Sequence, residues 1–123
     1  VALALRDEGG RLLLQKRPDH KHHGGLWEFP GGKVETEESP RDALCREIGE
    51  ELGIVVAPGD LEPAFLADEG SDPAIVLFLY NCGRWQGEVV ALEQQDWGWF
   101  SVAEAHSLPM PPMDRDLLHR IAN

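Results

Sequence analysis

Glu47, Glu50 and Glu51 are spaced at i, i+3 and i+4. On a helix turning about 100° per residue, that spacing gathers three carboxylates on one face. Like charges so placed repel one another by a few tenths of a kcal/mol per pair. Gly53 is the expected stop just beyond them, so they also lie at the helix end whose dipole disfavours anions. Stability alone gives no reason for this placement. Two readings remain: a solvated charged face, or oxygen ligands for a hard divalent cation such as Mg²⁺, which takes carboxylates and keeps water and phosphate oxygens in its shell. His20, His22 and His23 form a second group of chemically active side chains, in a polar loop over 18–25. They have no Cys or second His pair at ligand spacing, so they read as solvated loop histidines.

The elements that must position these groups are legible. Ser39 is a good N-cap, Pro40 suits a first helical position, and Gly53 suits a left-handed C-terminus, so a helix is predicted over 39–52. Leu44, Ile48 and Leu52 form its apolar stripe, which should face a sheet, and Glu47, Glu50 and Glu51 then share the neighbouring face. Residues 1–5, a turn at 7–10 and residues 11–17 read as strand, tight turn, strand. Residues 27–29 make a short apolar return, broken by Pro30-Gly31-Gly32. Residues 64–68 and 74–82 read as two strands around a turn at 70–73; the continuous apolar run 75–80 predicts a strand buried on both faces. A polar, turn-rich stretch over 83–98 is anchored by Trp85. A strand at 97–102 and a terminal helix at 114–122 complete the expected α+β fold, one domain over 1–123 with a mixed sheet sandwiched between helices.

Composition sets limits on function. The chain has 123 residues, 42% of them hydrophobic, and 22 acids against 11 Lys and Arg, a net charge of −11. That excess argues against binding polymeric nucleic acid or an anionic membrane through a broad electrostatic surface. Cys45 and Cys82 form no CxxC pair and are expected to be free thiols in a reducing cytoplasm. No apolar run reaches membrane-spanning length and no signal-peptide pattern is present; the chain opens at Val1, so a few residues are expected to precede it.

From Gly32 the sequence runs GKVETEESPRDALCREIGEELGI to Ile54. This resembles the signature of the Nudix hydrolases, and all nine specified positions match: Gly32, Glu38, Arg46, Glu47, Ile48, Glu50, Glu51, Gly53 and Ile54. Chance agreement is on the order of 10⁻⁹ per start position. The resemblance implies the Nudix fold and hydrolysis of a nucleoside diphosphate linked to another group. It implies Mg²⁺, with Mn²⁺ as a substitute, held by Glu47, Glu50, Glu51 and a backbone carbonyl at Gly31. Arg46 is implied to orient carboxylates and Glu38 to support the loop and the cluster.

The likeness covers essentially the whole chain. Leu26-Trp27-Glu28-Phe29-Pro30-Gly31-Gly32-Lys33 is similar to the run before the signature in the MutT branch, whose members remove oxidised nucleoside triphosphates, typically 8-oxo-dGTP. Glu93 aligns with a glutamate of that branch that joins the metal site or serves as base; taken by itself it is ordinary loop charge. Arg17, His22, Phe29, Lys33 and Asp114 fall at positions implied to bind substrate, although Phe29 reads equally as core. Asp114 stands where the MutT branch has Asn. Ionised, it only accepts hydrogen bonds and suits the exocyclic amine of cytosine or adenine; protonated, it can donate to a purine carbonyl. The related CTP pyrophosphohydrolases carry Asp here, and an N-cap of the last helix is a structural alternative. Substrate choice stays open between oxidised purines and cytidine nucleotides. Glu47 and Glu93 both remain candidates for the general base.

A nucleotide is therefore the expected partner of a cytoplasmic monomer. An ADP-ribose, dinucleoside-polyphosphate or RNA-cap hydrolase and a catalytically silent binding module are the competing readings. The complete set of signature glutamates disfavours the silent module. The segment from Gly31 to Ile54 holds seven acids and three bases, so part of the acidity that repels phosphate is the feature through which divalent ions would attract it.

Overall fold

A computed structural model describes residues 1–20, 24–70 and 75–121. In chain order the elements are β1 (Ala2–Leu5), β2 (Leu12–Lys16), β3 (Trp27–Glu28), α1 (Pro40–Leu52), β4 (Glu62–Glu69), β5 (Ile75–Cys82), β6 (Asp96–Phe100), α2 (Val102–His106) and α3 (Pro112–Ile121). The strands form two three-stranded sheets where one mixed sheet is expected. In the order β1-β5-β4, β1 runs parallel to β5 and β5 antiparallel to β4; the order β3-β2-β6 is antiparallel throughout.

The 7–10 turn forms as expected, with Asp7 accepting from the Arg11 amide at 2.8 Å and Gly10 at a φ of 79°. It does not close a hairpin. β1 and β2 share one bridge, Arg6 with Leu12, and then part into different sheets. The reason lies in what each strand must bury. Leu3, Leu5 and Leu13 pack with Ala43, Leu44, Ile48 and Leu52 of α1, whereas Ala2, Ala4, Leu12 and Leu14 pack with Ala105, Leu117 and Leu118 of α2 and α3. Strands buried on both faces form the middle layer of a helix–sheet–helix sandwich.

α1 follows its sequence signals closely. The Ser39 hydroxyl accepts from the Asp42 amide at 3.1 Å, Pro40 is the first helical residue, and Gly53 ends the helix at a φ of 69° with its amide on the Gly49 carbonyl. Leu44, Ile48 and Leu52 are fully buried, which fixes the rotation of the helix and therefore the direction of its carboxylates.

Three expectations need correction. The 75–80 run is not buried on both faces: Ile75, Val76 and Phe78 are 44–49% exposed, whereas Leu79 is 1% exposed. The four residues of β1 pair with Leu79–Cys82 alone, so the first half of β5 has only β4 beside it. The strand expected at 97–102 ends at Phe100, because Ser101 starts α2. Ser101 and Glu104 make a reciprocal capping box at 2.8 and 3.1 Å. The terminal helix begins two residues earlier than expected, at Pro112, and residue 122 lies outside the described residues. Trp85 anchors its loop against Trp99, with ring centroids 5.5 Å apart. Among the described residues no helix is long and apolar enough to cross a membrane.

This burial pattern predicts opposite outcomes at two nearby positions of β5. Leu79→Ala, in the closed core, should cost about 2–5 kcal/mol in urea unfolding. Val76→Thr, on the half-open stretch, should stay within about 0.5 kcal/mol of wild type. Equal losses at both would contradict the register of β1 on β5.

Candidate active site

The carboxylates of α1 meet the 30–32 segment, and two glycines make that meeting possible. At Gly31 a Cβ would fall 2.1 Å from the Val1 carbonyl oxygen; at Gly32 it would fall 2.3 Å from the carboxyl carbon of Glu47. The backbone here is laced to the start of the chain through Leu3 N–H to the Pro30 carbonyl, 2.8 Å, and Gly32 N–H to the Val1 carbonyl, 3.0 Å. Any side chain at either glycine would displace β1 or Glu47.

Arg46 ties the loop before α1 to the helix. Its Nε and Nη2 grip both oxygens of Glu38 at 2.7 and 2.9 Å, Nη1 donates to Glu47 Oε1 at 3.0 Å, and Nη2 also reaches the Lys33 carbonyl at 3.1 Å. Glu50 lies 3.4 Å from Nη1. The two-pronged guanidinium contact, helped by the Glu35 amide, lowers the Glu38 carboxyl to a pKa of about 2. Glu38 therefore acts as the fixed anion that holds Arg46, and Arg46 in turn fixes one oxygen of Glu47.

Glu51 is the buried member of the cluster, 5% exposed. Burial above all, then the nearby charges of Glu47 and Glu93, push its carboxyl up to about 8, against the opposing pull of the Gln15 side chain and the Gly31 amide. Oε1 accepts from Gln15 Nε2 at 2.6 Å. Oε2 is enclosed and has no hydrogen-bond partner of normal geometry. Gln95 completes the surroundings, its Nε2 donating to Gln15 Oε1 at 3.2 Å and to the Glu51 carbonyl at 2.8 Å.

Glu93 reaches this place through the unfinished end of α1. The last carbonyls of a helix lack intrahelical donors. Here the Val90 amide satisfies Leu52 at 2.9 Å and the Leu92 amide satisfies Glu51 at 3.0 Å. The loop that caps the helix thereby delivers Glu93, whose own amide is held by Gln95 Oε1 at 3.0 Å.

A cavity of about 150 Å³ is lined by Glu47, Glu51, Glu93, Gly31, Gln15 and Gln95, with Lys16, Arg17, Pro18 and Glu28 around it. Of the residues singled out from sequence, it brings together Glu47, Glu51, Glu93, Gly31 and Arg17. Arg17 is paired with Glu28 at 2.9 Å. Glu50 is exposed beside Arg46 and lies outside the lining. Lys33 is exposed and offers Arg46 its carbonyl, with no part in the lining. Phe29 is 3% exposed and belongs to the core that contains Leu117 and Leu118, which resolves its two readings in favour of packing. His22, with His23, lies outside the described residues, and His20 is exposed.

Asp114 is not the N-cap of α3, which begins at Pro112. It is 6% exposed, and its Oδ2 accepts from the Phe29 amide at 3.1 Å. Burial, partly opposed by the Phe29 amide, raises its carboxyl to about 7, with Glu28 adding to the rise and Arg17 working against it. Asp114 thus sits behind Phe29, in the field of the Arg17–Glu28 pair and outside the cavity lining.

Sequence reasoning missed Gln15 and Gln95. Gln15 had a signal, because it interrupts the apolar run Leu12-Leu13-Leu14 in a strand that is otherwise buried. Gln95 stands among polar loop residues and had none.

The donor set of the cavity is oxygen throughout, which suits Mg²⁺ or Mn²⁺, and Glu51 Oε2 is an enclosed acceptor in want of a positive partner. Among the described residues no three His, Cys, Asp or Glu side chains already form a chelating group. Mg²⁺ does not require one, since it commonly takes one or two carboxylates and completes its shell with waters and substrate phosphates.

A family model described as NUDIX domain matches residues 1–121. A CTP pyrophosphohydrolase of Escherichia coli is 40% identical over 118 residues, 96% of this chain and 87% of that protein. An 8-oxo-dGTP diphosphatase of Haemophilus influenzae is 36% identical over 122 residues, 97% of this chain and 87% of that protein. A solved MutT, from work on the Aliivibrio salmonicida and Vibrio cholerae proteins, superposes with a TM-score of 0.86 at 30% identity, covering 98% of this chain and 92% of its own. The MutT NUDIX hydrolase of Burkholderia pseudomallei superposes at 0.81 with 27% identity, covering 98% and 97%.

Asp114 generates a pH prediction. A carboxyl whose native pKa is raised, here from 3.8 to about 7, contributes its full stability below the unfolded value. That contribution is lost as pH rises through the native value. From pH 4 to 7.5, wild type should lose a few kcal/mol relative to Asp114→Asn, which keeps an acceptor for the Phe29 amide. A difference in unfolding free energy that stays constant over this range would contradict the buried, proton-retaining state.

Proposed function

The chain belongs to the NUDIX family, and on that premise we propose that it is a Mg²⁺-dependent nucleoside triphosphate pyrophosphohydrolase. It cleaves oxidised or otherwise modified nucleotides, 8-oxo-dGTP among them, to the monophosphate and pyrophosphate. The observation that carries this reading is one cavity lined by Glu47, Glu51, Glu93 and Gly31, together with the buried Oε2 of Glu51, which has no hydrogen-bond partner of normal geometry. The reading places the enzyme in the cytoplasm, as a monomer acting on the free nucleotide pool.

Glu47, Glu51, Glu93 and the Gly31 carbonyl would hold the ion, with Glu50 joining from the exposed side of α1. When bound, the ion neutralises charge on the phosphates and activates the attacking water. Arg46 keeps Glu47 in one orientation through Oε1. Glu38 keeps Arg46 in place. Either Glu47 or Glu93 takes the proton from water as the new phosphorus–oxygen bond forms, and the leaving group, monophosphate or pyrophosphate according to which phosphorus is attacked, departs on the opposite side. Arg17 and Lys16, in the same lining, supply positive charge near the phosphates.

Base selection is assigned to the Arg17 side of the cavity, next to the packed Phe29 and the buried Asp114, with His22 and Lys33 as further candidates. Two substrate readings are carried, because Asp114 titrates close to neutrality. For a base brought within its reach, the protonated carboxyl would donate to the carbonyl of an oxidised purine, as Asn would, and the ionised form would accept from the amine of cytosine. The relatives point both ways, toward 8-oxo-dGTP in one protein and CTP in another.

A steady-state panel with Mg²⁺ tests the proposal, comparing kcat/KM for 8-oxo-dGTP, dGTP, CTP, 5-methyl-dCTP and 2-hydroxy-dATP. Pyrophosphate should appear with the monophosphate, and Glu51→Gln should lower turnover at least about a hundredfold, because several kcal/mol of charge stabilisation depend on the ion. Turnover near wild type in Glu51→Gln would remove the metal role, and a preference for ADP-ribose, giving AMP and ribose phosphate, would replace the reaction.

A further inference from the structure

The cavity holds two buried side chains with no assigned role, and their hydrogen bonds run in a single direction. The Glu93 amide donates to Gln95 Oε1 at 3.0 Å; Gln95 Nε2 donates to Gln15 Oε1 at 3.2 Å; Gln15 Nε2 donates to Glu51 Oε1 at 2.6 Å. The second proton of Gln95 Nε2 goes to the Glu51 carbonyl at 2.8 Å. Gln15 and Gln95 are 6% and 7% exposed, so water has little opportunity to replace the bonds that join them to each other and to Glu51.

The polarity of each amide is determined by its neighbours. Turning Gln95 over would set its oxygen against the Glu51 carbonyl and its NH₂ against the Glu93 amide. Turning Gln15 over would set its NH₂ against the NH₂ of Gln95. One arrangement alone satisfies every member, and it fixes which oxygen of Glu51 is taken and which is left.

We propose that Gln15 and Gln95 are positioning residues that join Glu51 and Glu93 into one metal-binding unit. The two amides hold Oε1 of Glu51, leave Oε2 facing the cavity, and tie the loop carrying Glu93 to the same carboxylate. The inference rests on the reading above, in which Glu51 and Glu93 help to hold the divalent ion. It goes further by assigning the affinity of that ion to two neutral residues outside the signature. Groups that orient metal ligands commonly carry roughly 10–100-fold of metal affinity.

The test is a Mn²⁺ titration followed by electron paramagnetic resonance, on substrate-free wild type, Gln15→Met, Gln95→Met and the double variant. Methionine preserves length and volume while deleting every hydrogen bond. Each single variant should weaken Mn²⁺ binding roughly tenfold or more, and kcat should fall more than KM changes. The double variant should bind about as weakly as the poorer single one, because breaking a chain at one link already releases the other. Packing losses at two independent sites would instead multiply.

Mn²⁺ affinity within about twofold of wild type in either folded single variant overturns the proposal, as does full multiplicativity in the double variant. If Gln95→Met fails to fold, Gln15→Met applies the same criterion from the other end of the chain of bonds. A wild-type protein that binds no Mn²⁺ overturns the metal reading itself, and this outcome is distinct from the other two.

Discussion

A carboxylate buried at the foot of a helix is an expensive group to keep, and much of the site is arranged around Glu51. Desolvation opposes its charge, two neighbouring carboxylates oppose it further, and the C-terminal end of α1 adds its own negative potential. One oxygen is compensated by the Gln15 amide and the other is left to whatever enters the cavity. On the proposed reading, a cation there would offset the burial of the charge and the repulsion between the acids. The same logic separates the acids by role. Glu38, matched by Arg46, is the permanently ionised brace, whereas Glu51 is the unmatched group.

The fold serves this arrangement by fixing the rotation of α1 and the height of the 30–32 segment. Leu44, Ile48 and Leu52 lock the helix onto Leu3, Leu5 and Leu13. The amide of Leu3 then holds the Pro30 carbonyl. One strand thus supports both the helix that carries the acids and the glycines that approach them. β2 extends the same economy to the glutamines: Leu12 and Leu14 face one core, Leu13 faces the other, and Gln15 is the next residue along. A polar side chain at the end of a buried strand reaches the helix C-terminus without disturbing either core.

What was legible in the sequence follows from how local each signal is. The limits of α1 depend on Ser39, Pro40 and Gly53, all within the segment, and they were read correctly. The family and its fold were carried by a contiguous pattern and were equally plain. The partition of strands into two sheets was not legible, because the continuous apolar runs of β1 and β2 fit burial on both faces and do not say which strand lies alongside. The exposure of Ile75, Val76 and Phe78 was misread for a related reason: an apolar run reports affinity for a core, while the length of the neighbouring β1 decides whether a core is there. α2 was missed although Ser101 and Glu104 spell a capping box. In the site, Glu47, Glu51 and Glu93 were named from sequence, but Gln95 acts across 80 residues on Gln15 and 44 on the Glu51 carbonyl, a relation that no local pattern encodes.

The net charge of −11 has a more specific meaning once the acids are placed. A uniform anionic surface would simply repel a nucleotide, but here several acids are withdrawn from that field. Glu38 is neutralised by Arg46, Glu28 is paired with Arg17, and burial holds Glu51 and Asp114 near their neutral forms. Of these, Glu28 and Glu51 line the cavity, which is therefore less hostile to phosphate than the composition suggests. Once a cation arrives, the local sign reverses while the outer surface stays acidic. On the proposed reading, a nucleotide accompanied by its divalent ion is admitted on those terms. The same reading disfavours a polyanionic polymer, which would have to lie across the unreversed surface as well.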